Sequence, residues 1–365
     1  MKGEEADFVV FNAEIHILNE GNEVVEAMAI KDGEIIEFGP DRQILNKYAY
    51  GSSIDAKGKE IYPGFIDAHG HLMSYAELLL SVDLVGVNSQ KEMIERVVAY
   101  QDLNQKNVVI GSGWDQSLWE SGSFPDNHIL NKTFKETPVC LYRIDGHSAL
   151  VNDAFIQLLG DFEVPDGGDV LRGEDGSYSG LFIDAALQLL EPFIPKFSDQ
   201  AMKEKLMEVQ TELFSYGVTG VHEAGVDSDE LSLLDQMVSS SELSLNIYAM
   251  LSPTESNLKF AKDKGVYRNK NLLVRSFKAY VDGALGSSGA LLKDAYHDHP
   301  NYNGLSLSSM EELSSLRDFC LSVDYQLNCH GIGDSAVARI LNMCKGAFEH
   351  KPDHRFRVEH AQLVS

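Results

Sequence analysis

Apolar positions in residues 7–62 alternate or fall in β-branched runs, as in ADFVVFNAEIHIL and EAMAIKDGEIIEFG, the two-residue period of strands. Lys31-Asp32-Gly33 predicts a hairpin turn, and IDAKGKEI predicts a further short strand ended by Pro63-Gly64. Residues 1–62 therefore read as the N-terminal part of a small β-sandwich domain. From residue 63 on, apolar runs end in polar residues: GVTGVHEAG, SLNIYAML, VRSFKAYVDG, YQLNCHGIGD and FRVEHAQL. Between them DELSLLDQMVSSS, MEELSSLRDFCLSV and SAVARILNMCKGAFEH carry helical spacing. Strands alternating with helices predict a parallel α/β architecture. Polar residues at the carboxyl ends of those strands favour a (β/α)8, TIM-like barrel over residues 63–365. Residues from about 80 to 210 break the rhythm and read as a long insertion after the first barrel strand. There is no internal repeat and no low-complexity tract.

Composition narrows the function classes. The chain has 365 residues and 44% hydrophobic content, enough for a sizeable core. Its 30 Lys and Arg face 56 Asp and Glu, a formal charge of −26. That field repels phosphate backbones and anionic headgroups, which argues against nucleic-acid and membrane partners. Cys140, Cys320, Cys329 and Cys344 are widely spaced among apolar neighbours, so buried free thiols are expected. No apolar run approaches the roughly 20 residues of a membrane helix, and the start has no signal-peptide core. A cytoplasmic location is the default expectation, with export open if a signal has been removed.

The densest chemical signal is IYPGFIDAHGHL, residues 61–72. His69 and His71 project to one side of an extended strand, where two neutral imidazoles can grip one cation. Two solvated loop histidines would be the bland alternative, but the preceding turn, apolar strand and Asp67 favour metal. His330 and His360 end later strands of the same inferred barrel, which gathers strand ends at one face. Singly, each is more often a hydrogen-bonded structural residue; jointly, they favour a metal site.

The run from Pro63 to Leu72, YVDGALGS, CHGIGDSA and VEHAQ resemble the amidohydrolase superfamily, and GWDQSLW and DGHSALVN resemble its YtcJ-like branch (amidohydrolase family 3), which includes N-substituted formamide deformylases. The resemblance implies hydrolysis of a non-peptide carbon–nitrogen bond in an amide, formamide or cyclic amide, through a metal-activated water. It implies that His69, His71, His330 and His360 are metal ligands for one or two divalent ions, Zn²⁺ first, with Fe, Mn or Ni as alternatives. Lys278 falls where the superfamily often carries a carboxylated lysine, an anionic oxygen donor; a packed strand lysine is the alternative. Trp114, Asp115, His147, His222 and Asp282 are candidate substrate contacts, and Trp119 and Glu223 stand beside them, each with an equal structural reading as a packing or turn residue. His297, His299, His350 and His354 read as solvated. The expected partner is a small amide-type molecule, and a homodimer is among the expected assemblies.

The pattern departs from the superfamily at one point. The expected strand-eight aspartate, metal ligand and general base, would lie beyond Ser365, so the catalytic base is unknown here. The barrel is expected to stop after strand six, and the chain to be an incomplete, inactive piece of a longer protein. Two rivals stand beside the hydrolase reading: a ring deaminase of the same superfamily, and a non-catalytic binding or regulatory barrel.

Overall fold

The computed structural model describes residues 3–173, 176–347 and 353–365. His350 and the end of the SAVARILNMCKGAFEH segment lie outside the described residues. The chain forms two compact units, Met1–Phe65 and Ile66–Ser365.

In the first unit, β1 (Glu4–His16), β2 (Val24–Val25), β3 (Ala27–Lys31) and β4 (Glu34–Gly39) are antiparallel neighbours, followed by α1 (Asp41–Lys47) and β5 (Tyr48–Ile61). The β3–β4 turn is tight: Lys31 faces Glu34, with Asp32 at φ 53° and Gly33 at φ 79°. Two positive φ values in a two-residue loop are the primed turn that matches strand twist. The short strand expected near Pro63 is part of β5, 14 residues long and parallel to β1. Val9, Ala27, Ala29, Ile44 and Tyr48 form the unit's core.

The second unit opens with β6 (Phe65–Gly70) and α2 (Leu72–Leu78). The segment expected as a mixed insertion builds a sheet of its own from β7 (Val82–Asp83), α3 (Gln90–Asn104), β8 (Val109–Trp114), α4 (His128–Thr133), β9 (Val139–Arg143), β10 (Ser148–Val151), α5 (Asp153–Leu159), β11 (Gly168–Arg172) and β12 (Tyr178–Asp184). Its order is β11-β12-β10-β9-β8-β7. Trp114, Leu141, Leu150 and Leu181 lie in its core.

After α6 (Asp199–Ser215), strands and helices alternate: β13 (Val218–Val226), α7 (Ser228–Ser239), β14 (Asn246–Leu251), α8 (Glu255–Lys264), β15 (Tyr267–Asn269), β16 (Leu272–Tyr280), α9 (Met310–Ser322), β17 (Gln326–Gly331), α10 (Asp334–Cys344) and β18 (Arg357–His360). The sheet runs β18-β17-β16-β14-β13-β6, with β15 antiparallel on β16. Capping boxes start α7 at Asp227 and Glu230, and α9 at Ser309 and Glu312. Ile247, Leu251, Val274, Phe277 and Leu327 belong to the continuous core of this α/β unit.

The sheet curls until its end strands meet through side chains. His69 Nδ1 on β6 lies 2.5 Å from Glu359 Oε2 on β18, and an Arg357 guanidinium nitrogen donates to the Ala68 carbonyl at 2.9 Å. The result is a nearly closed parallel barrel sheet, with the strand-end polar residues gathered on one face. Among the described residues, no helix is long and apolar enough to cross a membrane. All four cysteines are free, with Cys140, Cys320 and Cys329 buried and Cys344 partly so.

Candidate functional site

β6 delivers His69 next to its last residue, and the chain then turns into α2 at His71 (φ −130°, ψ 67°). The residue between them is glycine for a steric reason: a Cβ at Gly70 would stand 2.6 Å from Val221 Cγ1. β16 and β17 are paired so that Tyr280 faces His330, and His330 in turn faces Glu359 on β18. His360 closes β18 in a left-handed conformation, φ 69°. These placements bring the sequence-selected side chains together. Ring centroids of His69 and His71 are 5.2 Å apart, His69 and His360 4.6 Å, and His330 and His360 4.6 Å. Lys278 Nζ lies 3.4 Å from His69 Nε2.

The electrostatics of the cluster oppose positive charge. Burial, with Lys278 and His69 adding repulsion, lowers His71 to about 4. Burial and the neighbouring His360 and His147 lower His330 to about 2. Burial, His69 and Lys278 lower His360 to about 4. His71 and His360 remain accessible at the open mouth, so crowding by protein atoms and like charge act there without full enclosure. Lys278 is 1% exposed, and burial lowers its ammonium to about 8, with Glu359 working against the shift. For Glu359 itself burial favours the neutral acid, but hydrogen bonds from His69 and Arg357 outweigh it and hold the carboxyl below its usual range.

Two imidazoles are held by their Nδ1 atoms. His69 Nδ1 faces Glu359, and His71 Nδ1 lies 3.1 Å from the Ala224 carbonyl oxygen. An acceptor at Nδ1 fixes the proton there and leaves Nε2 with its lone pair free, the arrangement common to metal-binding histidines. Neither Glu359 nor Arg357 stood out in the sequence, although Glu359 is the residue before His360. Its two-residue spacing from Arg357 was the one available signal.

The other sequence candidates divide. His147, between β9 and β10, sits with its ring 5.4 Å from that of His330, and its Nδ1 is 2.7 Å from Asp184 Oδ1. Asp184 was not singled out in the sequence, although it follows the apolar run Leu181-Phe182-Ile183. It ends β12 at φ 49°, ψ −119°, a conformation that costs a non-glycine residue about 1–3 kcal/mol. Its side chain is fully buried, which pushes the carboxyl up against the opposing hydrogen bond from His147. Asp282 is buried and collects three backbone amides, from Leu291 at 2.8 Å, Ile332 at 2.9 Å and Gly333 at 2.7 Å, so it organises the loops beside His330. His222 lies with Nδ1 3.0 Å from an Arg357 guanidinium nitrogen and its ring 4.8 Å from Tyr248. Glu223 accepts the backbone amides of Leu72 and Met73, fixing the start of α2, and burial raises it to about 8.

Trp114 is fully buried in the insertion's core, its indole N–H donating to the Leu141 carbonyl at 2.7 Å, so packing and hydrogen bonding account for it. Trp119 packs beside it, ring centroids 6.0 Å apart. Asp115 caps the short 3-10 turn Gln116–Leu118 and pairs with the buried Arg143 at 2.7 Å. His297 and His299 are exposed, whereas His354 is partly buried, with Nδ1 accepting the Phe356 amide at 2.9 Å.

Among the described residues, no three His, Cys, Asp or Glu donors are already drawn to the spacing of one ion. The donor chemistry nonetheless fits a divalent cation: four imidazoles, with burial disfavouring the charged form of His71, His330 and His360 and with His69 and His71 held at Nδ1, around a lysine whose ammonium is destabilised.

Residues 53–365 match the amidohydrolase family, and the chain belongs to that family. Among relatives, the LONG AFTER FAR-RED 3 protein of Arabidopsis thaliana is 31% identical over 99% of this chain, which spans 65% of the plant protein's length. YtcJ of Bacillus subtilis is 27% identical over 96% of this chain and 68% of its own. The N-substituted formamide deformylase of Arthrobacter pascens is 24% identical over 98% and 69%. The crystal structure of an uncharacterized metal-dependent hydrolase from Pyrococcus furiosus superposes with a TM-score of 0.72 and 27% identity, over 98% of this chain and 73% of that one.

Proposed function

We propose that this protein is a metal-dependent hydrolase that breaks a non-peptide carbon–nitrogen bond in an amide, formamide or cyclic amide. His69, His71, Lys278, His330 and His360 hold one or two divalent ions of the Zn²⁺ class. The observation that carries the reading is the convergence of these five side chains from β6, the turn after it, β16, β17 and β18, with charge disfavoured on His71, His330 and His360. The names of the Arthrobacter and Pyrococcus relatives support the bond type and the metal dependence.

A divalent ion bound there supplies Lewis acidity that makes a water nucleophilic near neutral pH and polarises a carbonyl. The chain's own residues prepare that chemistry. Glu359 and the Ala224 carbonyl hold His69 and His71 in one tautomer and one orientation. Lys278, its ammonium destabilised by burial, is suited to add as a free amine to CO2 with loss of a proton. The resulting carbamate would place anionic oxygen where the ammonium now repels a cation. A cavity of about 1030 Å³ is lined by His147, Tyr280, Leu258, Leu313 and Phe319, with Glu191, Glu311 and Glu312 and without a Lys or Arg. It is large enough for a bulky apolar substituent on the amide.

Elemental analysis of the whole protein and of His71→Ala and His330→Ala variants tests the assignment. Bound metal and turnover of N-formyl, N-acyl or cyclic amides are expected to fall together; an unchanged metal content would refute the ligand set. Ammonia release from ring amidines, without amide hydrolysis, would move the reading to a deaminase.

A further inference from the structure

Asp184 and His147 form an arrangement that the metal cluster does not require. Three features of the protein converge on that one carboxylate. Its backbone is held at φ 49°, in the left-handed half of conformational space, at the point where β12 ends. Its Oδ1 meets His147 Nδ1 at 2.7 Å, while its Oδ2 is buried with no hydrogen-bond partner among the described residues. Two glycines of the loop after β16 clear the space around it: a Cβ at Gly283 would stand 2.5 Å from Oδ1, and one at Gly289 would stand 2.2 Å from Oδ2. A strained backbone and two bare glycine positions keep the carboxylate at the Nδ1 edge of one imidazole, at the cost of an orphaned oxygen.

An ionised carboxylate can only accept, so the proton of a neutral His147 lies on Nδ1 and Nε2 is left as a hydrogen-bond acceptor. Its ring is 5.4 Å from that of His330, and His147 also lines the large cavity together with Asp184 and Tyr280. His147 is thus a neighbour of the histidine cluster that also faces the cavity.

We propose that His147, oriented by Asp184 as a positioning residue, accepts a hydrogen bond from the N–H of the bound amide and so selects amides that keep an N–H over N,N-disubstituted ones. The choice of an amide rests on the hydrolase reading above. The selection itself is a binding property and is tested without turnover.

The probes are N-methyl-phenylacetamide and N,N-dimethyl-phenylacetamide, titrated calorimetrically into the whole, metal-loaded protein. The parent is expected to favour the N–H amide by about tenfold, the order of effect when a desolvated acceptor loses its donor. Asp184→Asn offers an amide N–H to Nδ1, moves the ring proton to Nε2 and turns the acceptor into a donor. The preference is then expected to vanish or invert. His147→Phe keeps a ring and removes the acceptor, and is expected to bind both probes alike.

Should either variant fail to fold, ¹⁵N spectra of the parent decide the tautomer directly, with the proton expected on Nδ1 of His147. Equal binding of the two probes by the parent, no binding of either, a preference unchanged in Asp184→Asn, or a proton on Nε2 would each overturn the proposal. A protein that shows the binding preference but hydrolyses no amide would sink the hydrolase reading alone. One that hydrolyses both amide types with equal affinity would sink only the role of His147.

Discussion

At Gly289 a single added methyl group would stand 2.2 Å from the Asp184 carboxylate, with nowhere for a buried, backbone-strained side chain to go. Gly289→Ala is therefore expected to destabilise the protein by about 1–3 kcal/mol, the usual penalty for overfilling a packed site. Urea unfolding checks this, and an unchanged midpoint would mean that the carboxylate moves aside freely. The same pair of residues shows where sequence reading stops at this scale. That His69, His71, Lys278, His330 and His360 come together could be read from the sequence, because a parallel barrel sheet sends the ends of its strands to one place and each of them lies at or near the end of an apolar run. Asp184 follows the apolar run LFI as well, but what sets it apart is a torsion angle and the absence of two side chains a hundred positions later. For Trp114 and Asp115 the sequence left a site and a packing or turn role equally open, and the structure shows the first in a core contact and the second as a turn cap.

Among the helices, α7 carries a testable pH dependence. Glu230 completes the capping box by accepting the Asp227 amide at 2.8 Å, yet burial raises its carboxyl to about 7, with Asp227 and Glu77 adding repulsion. The folded state thus binds this proton more tightly than the unfolded chain, whose carboxyl titrates near 4.3. The contribution is complete below that value and is lost as pH climbs through about 7. Glu230→Gln keeps the capping geometry and removes the titration. The parent's melting temperature should fall between about pH 5 and pH 8 relative to that of the variant, by the equivalent of about 1–3 kcal/mol. Parallel curves for the two proteins would refute it. The helices α7, α9 and α10 and the strands around them were legible because each pairs a helical stripe with a strand run of the right length. The insertion's sheet was not: β7, β10 and β11 are two to five residues long, too short for a period to register, and their partners lie across intervening loops.

The whole molecule carries 56 acidic against 30 basic side chains, so it is held together against its own field. Raising NaCl from about 20 to about 300 mM shortens the screening length from about 20 Å to about 6 Å and should raise the melting temperature. A fall would mean that attractive surface pairs outweigh the net repulsion. Zn²⁺ should add a separate increment that chelator removes and that His71→Ala does not show, because a ligand bound only by the folded state stabilises it by mass action.

The His69–Glu359 contact joins residues 290 positions apart. During synthesis at about 5–20 residues per second, the ribosome needs about 15–60 s after making His69 before it makes Glu359. Over that interval the nascent protein displays His69 without the acid that orients it. Metal acquired then would meet an unfinished, weakly selective nest. A divalent ion arriving only after β18 has been made would instead meet a His69 already held by its acid, so the order in which these two strands leave the ribosome bears on how selective the site is when first filled.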